Sequence, residues 1–293
     1  MINIENQLYV LGVKIMYKIG LSSCAKTICE ELFQNYKKAG IEKMEISPNY
    51  DQYGDINYES IKKWADKYNI DLWSFHMPFW PFTDIEISNP DTAKATIKYY
   101  EEFIKKGSDI GIKRFIVHPS GEPILDEKRA ERMKCAKESL ASLAQIAKRN
   151  DAIIVVEDLP RTCLGRNSDE IAELISVDEN LMVCFDTNHL LSENPVDFIH
   201  KIGNRIITTH VSDYDFVDER HWLPGEGNMD WQAVMKAFKD INYDGVWLYE
   251  VGFFAPDELI RERDLTCEDI VKNAKEIFEN KELTVLSTKK DNY

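Results

Sequence analysis

Residues 152–189 read AIIVVEDLPRTCLGRNSDEIAELISVDENLMVCFDTNH, and they contain one complete round of a pattern that runs through the chain. An apolar, β-branched run closes on Glu157, and a loop of turn-forming residues follows. Ser168 with Asp169 and Glu170 suits a helix start, and a second apolar run closes on Asp186. Two short apolar runs separated by a helical stretch signal a βα unit, because the crossover helix lets the second strand lie parallel to the first.

The same alternation extends in both directions. Strands are expected at 9–15, 43–47, 71–76 and 113–118, then at 152–157, 181–186, 205–210 and 246–250. Helical stretches fall near 23–39, 57–68, 90–110, 126–149, 168–177, 195–202, 230–241 and 266–282. Pro195 suits a first turn, and Gly40, Gly111, Gly203 and Gly245 stand just ahead of strands, where helix C-cap glycines are expected. No Gly-x-Gly-x-x-Gly fingerprint follows an early strand, which removes the main argument for an open dinucleotide-binding sheet. The reading is an α/β protein, a closed (β/α)8 TIM barrel forming a single domain over residues 1–293.

Closure is favoured by the residues that end the strands. From the third strand onward these are His76, His118, Glu157, Asp186, His210 and Glu250, all of them metal-ligating types. In a barrel the C-terminal strand ends meet on one face, where active sites sit. A single carboxylate or imidazole at such a position is commonly a helix cap or a hydrogen-bonded rim residue. Six together are harder to explain that way, because burying so many without a cation is costly. Glu157, Asp186, His210 and Glu250 form an oxygen-rich donor set suited to Mn2+, Mg2+ or Co2+, with Zn2+ also compatible. A cation so held polarises a carbonyl, while flanking glutamates move protons on and off carbon.

Secondary features lie on the same rim. His189 follows Asp186 by three residues, and Glu219-Arg220-His221 opens a glycine-rich loop that reads as a lid or second metal arm. Phe79, Trp80 and Phe82 follow His76 and offer an apolar wall. His200 lies on a helix face and reads as solvated, and Cys163 reads as structural. Arg161 and Arg166 are candidates for a phosphate, although exposed loop arginines are common.

Bulk composition narrows the function classes. Lys plus Arg number 36 against 51 Asp plus Glu, a formal charge of −15 that disfavours a nucleic-acid partner. Six cysteines without a Cys-x-x-Cys pair read as free thiols of a reducing cytoplasm. The N-terminus lacks the basic start and apolar run of a signal peptide, and no stretch suits a membrane span. A cytoplasmic location, a small-molecule substrate and no membrane partner are expected.

The ordered motifs SFHMPF (74–79), FIVHPSGEP (115–123), VVEDLPRTCLG (155–165) and CFDTNH (184–189) continue with THVSD (209–213), RHWLPGEGNMDW (220–231) and LYEVGF (248–253). Together they resemble the xylose-isomerase-like barrel superfamily of sugar phosphate isomerases and epimerases, which also contains endonuclease IV. Resemblance to the ketose 3-epimerases and inosose dehydratases implies carbohydrate metabolism, with Glu157 and Glu250 as both metal ligands and the proton-transfer pair working through an enediolate. It implies that Asp186 and His210 complete the coordination of one divalent ion, manganese or zinc among the options. His76, His118, His189, His221, Glu219 and Trp80 are then expected to contact substrate, a small polyhydroxy carbonyl compound. The resemblance also allows a homodimer, since paired barrels are frequent in that family.

Two departures stand out. The Arg that those epimerases carry about six residues after the metal-binding His is here Phe216, with Arg220 nearby but offset. The usual Glu-Asn is Glu157-Asp158. A rival within the resemblance is an endonuclease IV-like phosphodiesterase. It would place additional zinc ions through His76, His118, His189, Glu219 and His221, with Glu219 where that enzyme carries Asp. A dehydratase and a non-catalytic sugar-binding protein are further alternatives on the same fold.

Overall fold

The computed structural model describes residues 17–79 and 85–290, together with the backbone of 9–10 and 13–14. Eight parallel strands close into a barrel. They are β1 (Lys18–Ser22), β2 (Lys43–Ile46), β3 (Asp71–His76), β4 (Arg114–Val117), β5 (Ile153–Glu157), β6 (Met182–Asp186), β7 (Ile206–His210) and β8 (Val246–Tyr249). The order is sequential, and β8 pairs with β1 to complete the ring.

A helix follows each strand: α1 (Glu30–Ala39), α2 (Tyr58–Tyr68), α3 (Ala93–Asp109), α4 (Asp126–Arg149), α5 (Ser168–Ile175), α6 (Pro195–Ile202), α7 (Trp231–Asp240) and α8 (Cys267–Phe278). At α2, α5, α6, α7 and α8 a cap side chain accepts an otherwise orphaned backbone N–H, as Asn167 does for Glu170 and Asp230 for Ala233. Thr266 and Asp269 satisfy each other's backbone in a capping box at α8.

One strand differs from expectation. Within the expected strand 9–15, Tyr9–Val10 pairs antiparallel with Val13–Lys14 apart from the barrel sheet, and the first barrel strand is Lys18–Ser22. The stretch YVLGVKI has the richer strand composition, whereas KIGLS carries a glycine at its centre, normally a weak strand residue. That glycine is required by packing: a Cβ on Gly20 would stand 2.7 Å from Val246 Cγ1 of the neighbouring strand. Of the expected cap glycines, Gly40, Gly111 and Gly203 have positive φ. Gly245 answers instead to close approach, since a Cβ there would meet the Ile207 carbonyl oxygen at 2.6 Å.

Side-chain alternation positions the site. Ile116, Val155 and Cys184 form a small apolar layer inside the barrel, distinct from the large core between sheet and helices. Glu157 and Asp186 stand two residues further along β5 and β6 than Val155 and Cys184, and His118 two beyond Ile116 just past the end of β4, and therefore on the same inner side. The period-two geometry of a strand thus sets a polar layer directly above an apolar floor. A short antiparallel pair, Leu259–Arg261 with Ser287–Lys289, packs outside the barrel. Among the described residues no helix is long and apolar enough to cross a membrane.

Candidate metal centre and pocket

His210 is the hub. Its Nδ1 lies 2.7 Å from Glu157 Oε1 and 2.8 Å from Glu250 Oε2, with Asp186 Oδ2 at 3.8 Å. One ligand atom from each of these four residues lies within 4.8 Å of the others. Three come from adjacent strands β5, β6 and β7, and the fourth immediately follows β8. Glu157, Asp186 and His210 are completely buried.

The donor set fits a divalent cation. Three carboxylate oxygens and one imidazole nitrogen is an oxygen-rich, mixed set. Asp186 Oδ2 is buried without a hydrogen-bond partner, whereas its Oδ1 accepts from the Asn188 N–H at 2.7 Å. A buried carboxylate oxygen left unpaired beside two glutamates is expensive unless a cation occupies the space between them.

Electrostatics follow from this crowding. Burial alone would push the Glu157 carboxyl up, but the imidazoles of His210 and His118 hold it well below the ordinary range. Glu250 is likewise lowered against burial, by His210 and His221. Asp186 moves the other way, pushed up to about 6 by burial although His189 opposes the shift. Asp158, beside it, is raised well above the usual value by burial and by the Asp186 charge. Its Oδ1 accepts from the Asp186 backbone N–H at 2.8 Å, which places it as a support for β6.

A cavity of about 250 Å3 opens above the cluster. His76, His118, His189, Glu219, His221 and Glu250 all border it, as does Glu157 from below. His76 and His118 place Nε2 at 3.2 and 3.0 Å from Glu157 Oε2. Burial lowers the His76 ring, yet Glu157 outweighs it and brings it up to about 9; for His118 burial prevails and the ring is lowered. Phe79 supplies the expected apolar wall, its ring centroid 4.1 Å from that of His118. Trp80 and Phe82 lie outside the described residues.

His189 donates from Nδ1 to the Asp158 carbonyl at 2.7 Å, leaving Nε2 as the free ring nitrogen. His189, Glu219 and His221 make a second set of ligand atoms within 4.8 Å of one another, and His76, His118 and Glu157 make a third. Glu219 is held down to about 2, because His221 and His189 outweigh the effect of burial. Asn188 locks the arm that carries these residues, its Oδ1 accepting from the backbone of Arg220 at 2.7 Å and His221 at 3.3 Å. His221 has a left-handed φ of 52°, a conformation that side chains other than glycine adopt only when their surroundings enforce it.

Other candidates resolve differently. Arg220 pairs with Asp215 and Glu258 at 2.9 and 2.8 Å and does not border the cavity. Arg161 does border it, but its guanidinium is engaged by Glu122, Asp218 and Glu219, so its charge is already matched. Arg166 is 3.5 Å from Glu170. Asp213 accepts from Gly225, Met229 and the Trp231 indole, organising the glycine-rich loop and not the cluster. Cys163 is buried and borders the cavity, and half-exposed His200 faces Asp240.

One residue escaped the strand-end pattern. Glu45 is fully buried on β2, and both of its oxygens lie 3.1 Å from His210 Nε2. It is not the last residue of its strand. Its only local signal is an acid between Met44 and Ile46, in an otherwise apolar run.

Comparison with known proteins agrees with this architecture. A family model for the xylose isomerase-like TIM barrel matches residues 33–266. The chain belongs to that family. An uncharacterised protein of Methanocaldococcus jannaschii is 28% identical over 199 residues, 65% of this chain and 67% of that protein. The inosose dehydratase of Clostridium beijerinckii is 26% identical over 255 residues, covering 75% of this chain and 81% of the relative. The crystal structure of a D-tagatose 3-epimerase-like protein superposes with a TM-score of 0.74 at 24% identity, covering 90% of this chain and 96% of the other, a likeness of fold. The relative of stated activity in this comparison is thus an inosose dehydratase, and the epimerase-like structure shares the fold.

Proposed function

We propose that the chain is a divalent-metal-dependent isomerase or epimerase of a small polyhydroxy carbonyl compound, with Glu157 and Glu250 as the proton-transfer pair. The observation that carries this reading is the convergence of both glutamates, within 2.8 Å, on the one His210 nitrogen, with the unpartnered Asp186 oxygen beside them. The named relatives, a dehydratase of inosose and a tagatose-epimerase-like barrel, support it.

A divalent cation bound by Glu157, Asp186, His210 and Glu250 would polarise a substrate carbonyl and so acidify the adjacent C–H. The chain's own residues do the rest. Both glutamates are held as carboxylates, ready to accept a proton from that carbon. One removes it to form an enediolate and the other returns it, to the same carbon with inverted configuration or to the former carbonyl carbon, which relocates the carbonyl. His76 and His118 keep Glu157 oriented through its second oxygen. His189, with its Nε2 free, and His221 offer hydrogen bonds to substrate hydroxyls. A cavity of about 250 Å3 suits one monosaccharide-sized ligand. Because Arg161 is already paired three ways, a neutral sugar fits the site better than a phosphorylated one.

The test is metal-dependent exchange of solvent deuterium into carbon across a panel of ketoses and inososes. Exchange that falls by two or more orders of magnitude in both Glu157→Gln and Glu250→Gln supports the reading, as general acid–base catalysis typically contributes about 10²–10⁴-fold. Near-normal exchange in both variants ends it. Net loss of water from an inosose assigns the dehydratase, and ligand binding without exchange assigns a sugar-binding protein.

The two further triads, His189–Glu219–His221 and His76–His118–Glu157, favour a second reading, a trinuclear zinc phosphodiesterase like endonuclease IV. It requires three zinc ions per chain and cleavage of abasic DNA, where the first reading requires one metal. The chain's charge of −15 weighs against a DNA substrate.

A further inference from the structure

The site described above uses one face of the His210 ring, and the other face has its own buried partner. Glu45 on β2 is completely buried, and its carboxylate has two polar neighbours: the Ser74 hydroxyl at 2.8 Å and His210 Nε2 at 3.1 Å. A carboxylate can only accept, so the Ser74 O–H donates to Glu45, and His210 Nε2 does the same when it carries a proton. With a cation on Nδ1, the ring's one N–H would sit on Nε2, where Glu45 would accept it. Nδ1 is the atom that faces Glu157, Glu250 and Asp186. Glu45 is thus a positional partner of His210 from the opposite side of the barrel, 165 residues away in sequence.

We propose that Glu45, anchored by Ser74, is a positioning residue that selects the Nδ1 lone pair of His210 as the cation-binding atom and fixes the ring plane towards the two glutamates. The proposal rests on the metal reading of the preceding section and adds a residue to it. Three features support a positioning role over simple core packing. An apolar side chain would fill the same space without leaving a carboxylate oxygen, Oε1, outside hydrogen-bond geometry in a buried setting. The orientation of Glu45 is itself specified, since Ser74 comes from the adjacent strand β3 and points its hydroxyl at Oε2. And a buried anion behind a ligating imidazole raises the basicity of the ring, which strengthens its bond to a cation.

The experiment uses the full chain. Zn2+ affinity is measured by competition with a chromophoric chelator for wild type, Glu45→Gln and Ser74→Ala. Long-range 1H–15N spectra of the histidine rings are recorded with Zn2+ bound, the His210 signals being assigned by their absence in His210→Gln. Expected are a protonated Nε2 and a zinc-shifted Nδ1 in wild type. The affinity should fall 10–100-fold in Glu45→Gln, the usual range for loss of such a partner, and less in Ser74→Ala. Unchanged affinity in Glu45→Gln, or zinc on Nε2 in wild type, overturns the proposal while leaving the metal reading intact. A wild-type chain that takes up no Zn2+, Mn2+, Mg2+ or Co2+ overturns both. If Glu45→Gln does not fold, the wild-type ring spectra decide the matter alone.

Discussion

Arg261 and Glu226 form an ion pair with both side chains fully excluded from solvent. Two parallel bonds join them, Nε to Oε1 at 2.9 Å and Nη2 to Oε2 at 2.6 Å. The remaining nitrogen, Nη1, donates to the carbonyls of Gly252, Phe253 and Phe254 at 2.9–3.3 Å. Replacing Arg261 by Met keeps much of the volume but leaves Glu226 as a buried carboxylate whose remaining partner is the Leu223 N–H at 2.9 Å. Breaking a buried pair from one side costs about 3–5 kcal/mol, because the survivor's desolvation is no longer offset. The double variant Glu226→Gln with Arg261→Met removes the stranded charge, so its loss should be smaller than that of Arg261→Met alone. The assay is urea unfolding of Arg261→Met, Glu226→Gln, the double variant and wild type in chelator, with the slope checked for constancy. Because Glu226 lies in the loop after His221, and Arg261 grips the backbone just after Glu250, Zn2+ affinity should fall together with stability. A cost below about 1 kcal/mol for Arg261→Met, or a double variant as unstable as the sum of the singles, would refute the reasoning.

Three other outcomes are expected. In metal-free protein at pH 7, Asp186→Asn should be at least as stable as wild type while losing metal affinity. Burial raises the Asp186 carboxyl to about 6, so its ionised form opposes folding above that pH, and Asn keeps the bond from the Asn188 N–H; destabilisation by more than about 1 kcal/mol would contradict this. Saturating divalent metal should raise the unfolding free energy by about 2.7 kcal/mol at a hundred times Kd, read as a higher Tm that chelation reverses; a Tm indifferent to metal and chelator speaks against the site. At α8, Arg263 holds the Asp269 carboxyl down to about 2 from 3.8, aided by Thr266 and opposed by burial. A depressed carboxyl contributes stability that is present above 3.8 and disappears as pH falls towards 2. Asp269→Asn should therefore lower stability at pH 7 and make no difference at pH 2, and an equal loss at both values would count against the assignment.

Much of the candidate site was legible in sequence because a parallel barrel converts a one-dimensional regularity into a place. An apolar run that closes on His76, His118, Glu157, Asp186, His210 or Glu250 announces both a strand and its end, and closure brings those ends together. Six of the eight strands could be read this way, and the candidate quartet with them, while a seventh followed from its apolar run alone. The eighth, Lys18–Ser22, was obscured by Gly20, whose necessity lies in Val246 on the strand that closes the ring. Glu45 was hidden for a related reason: its meaning is the far nitrogen of His210, and no pattern within β2 encodes that pairing. The arginines show the same limit, since position offered Arg161 as a phosphate candidate and only the fold supplies Glu122, Asp218 and Glu219 around it. What depends on hydrophobic period and strand ends is written locally, because it follows from the repeat of the backbone. What depends on which charge meets which is decided only in three dimensions, where Coulomb interaction and desolvation act between neighbours in space that are strangers along the chain.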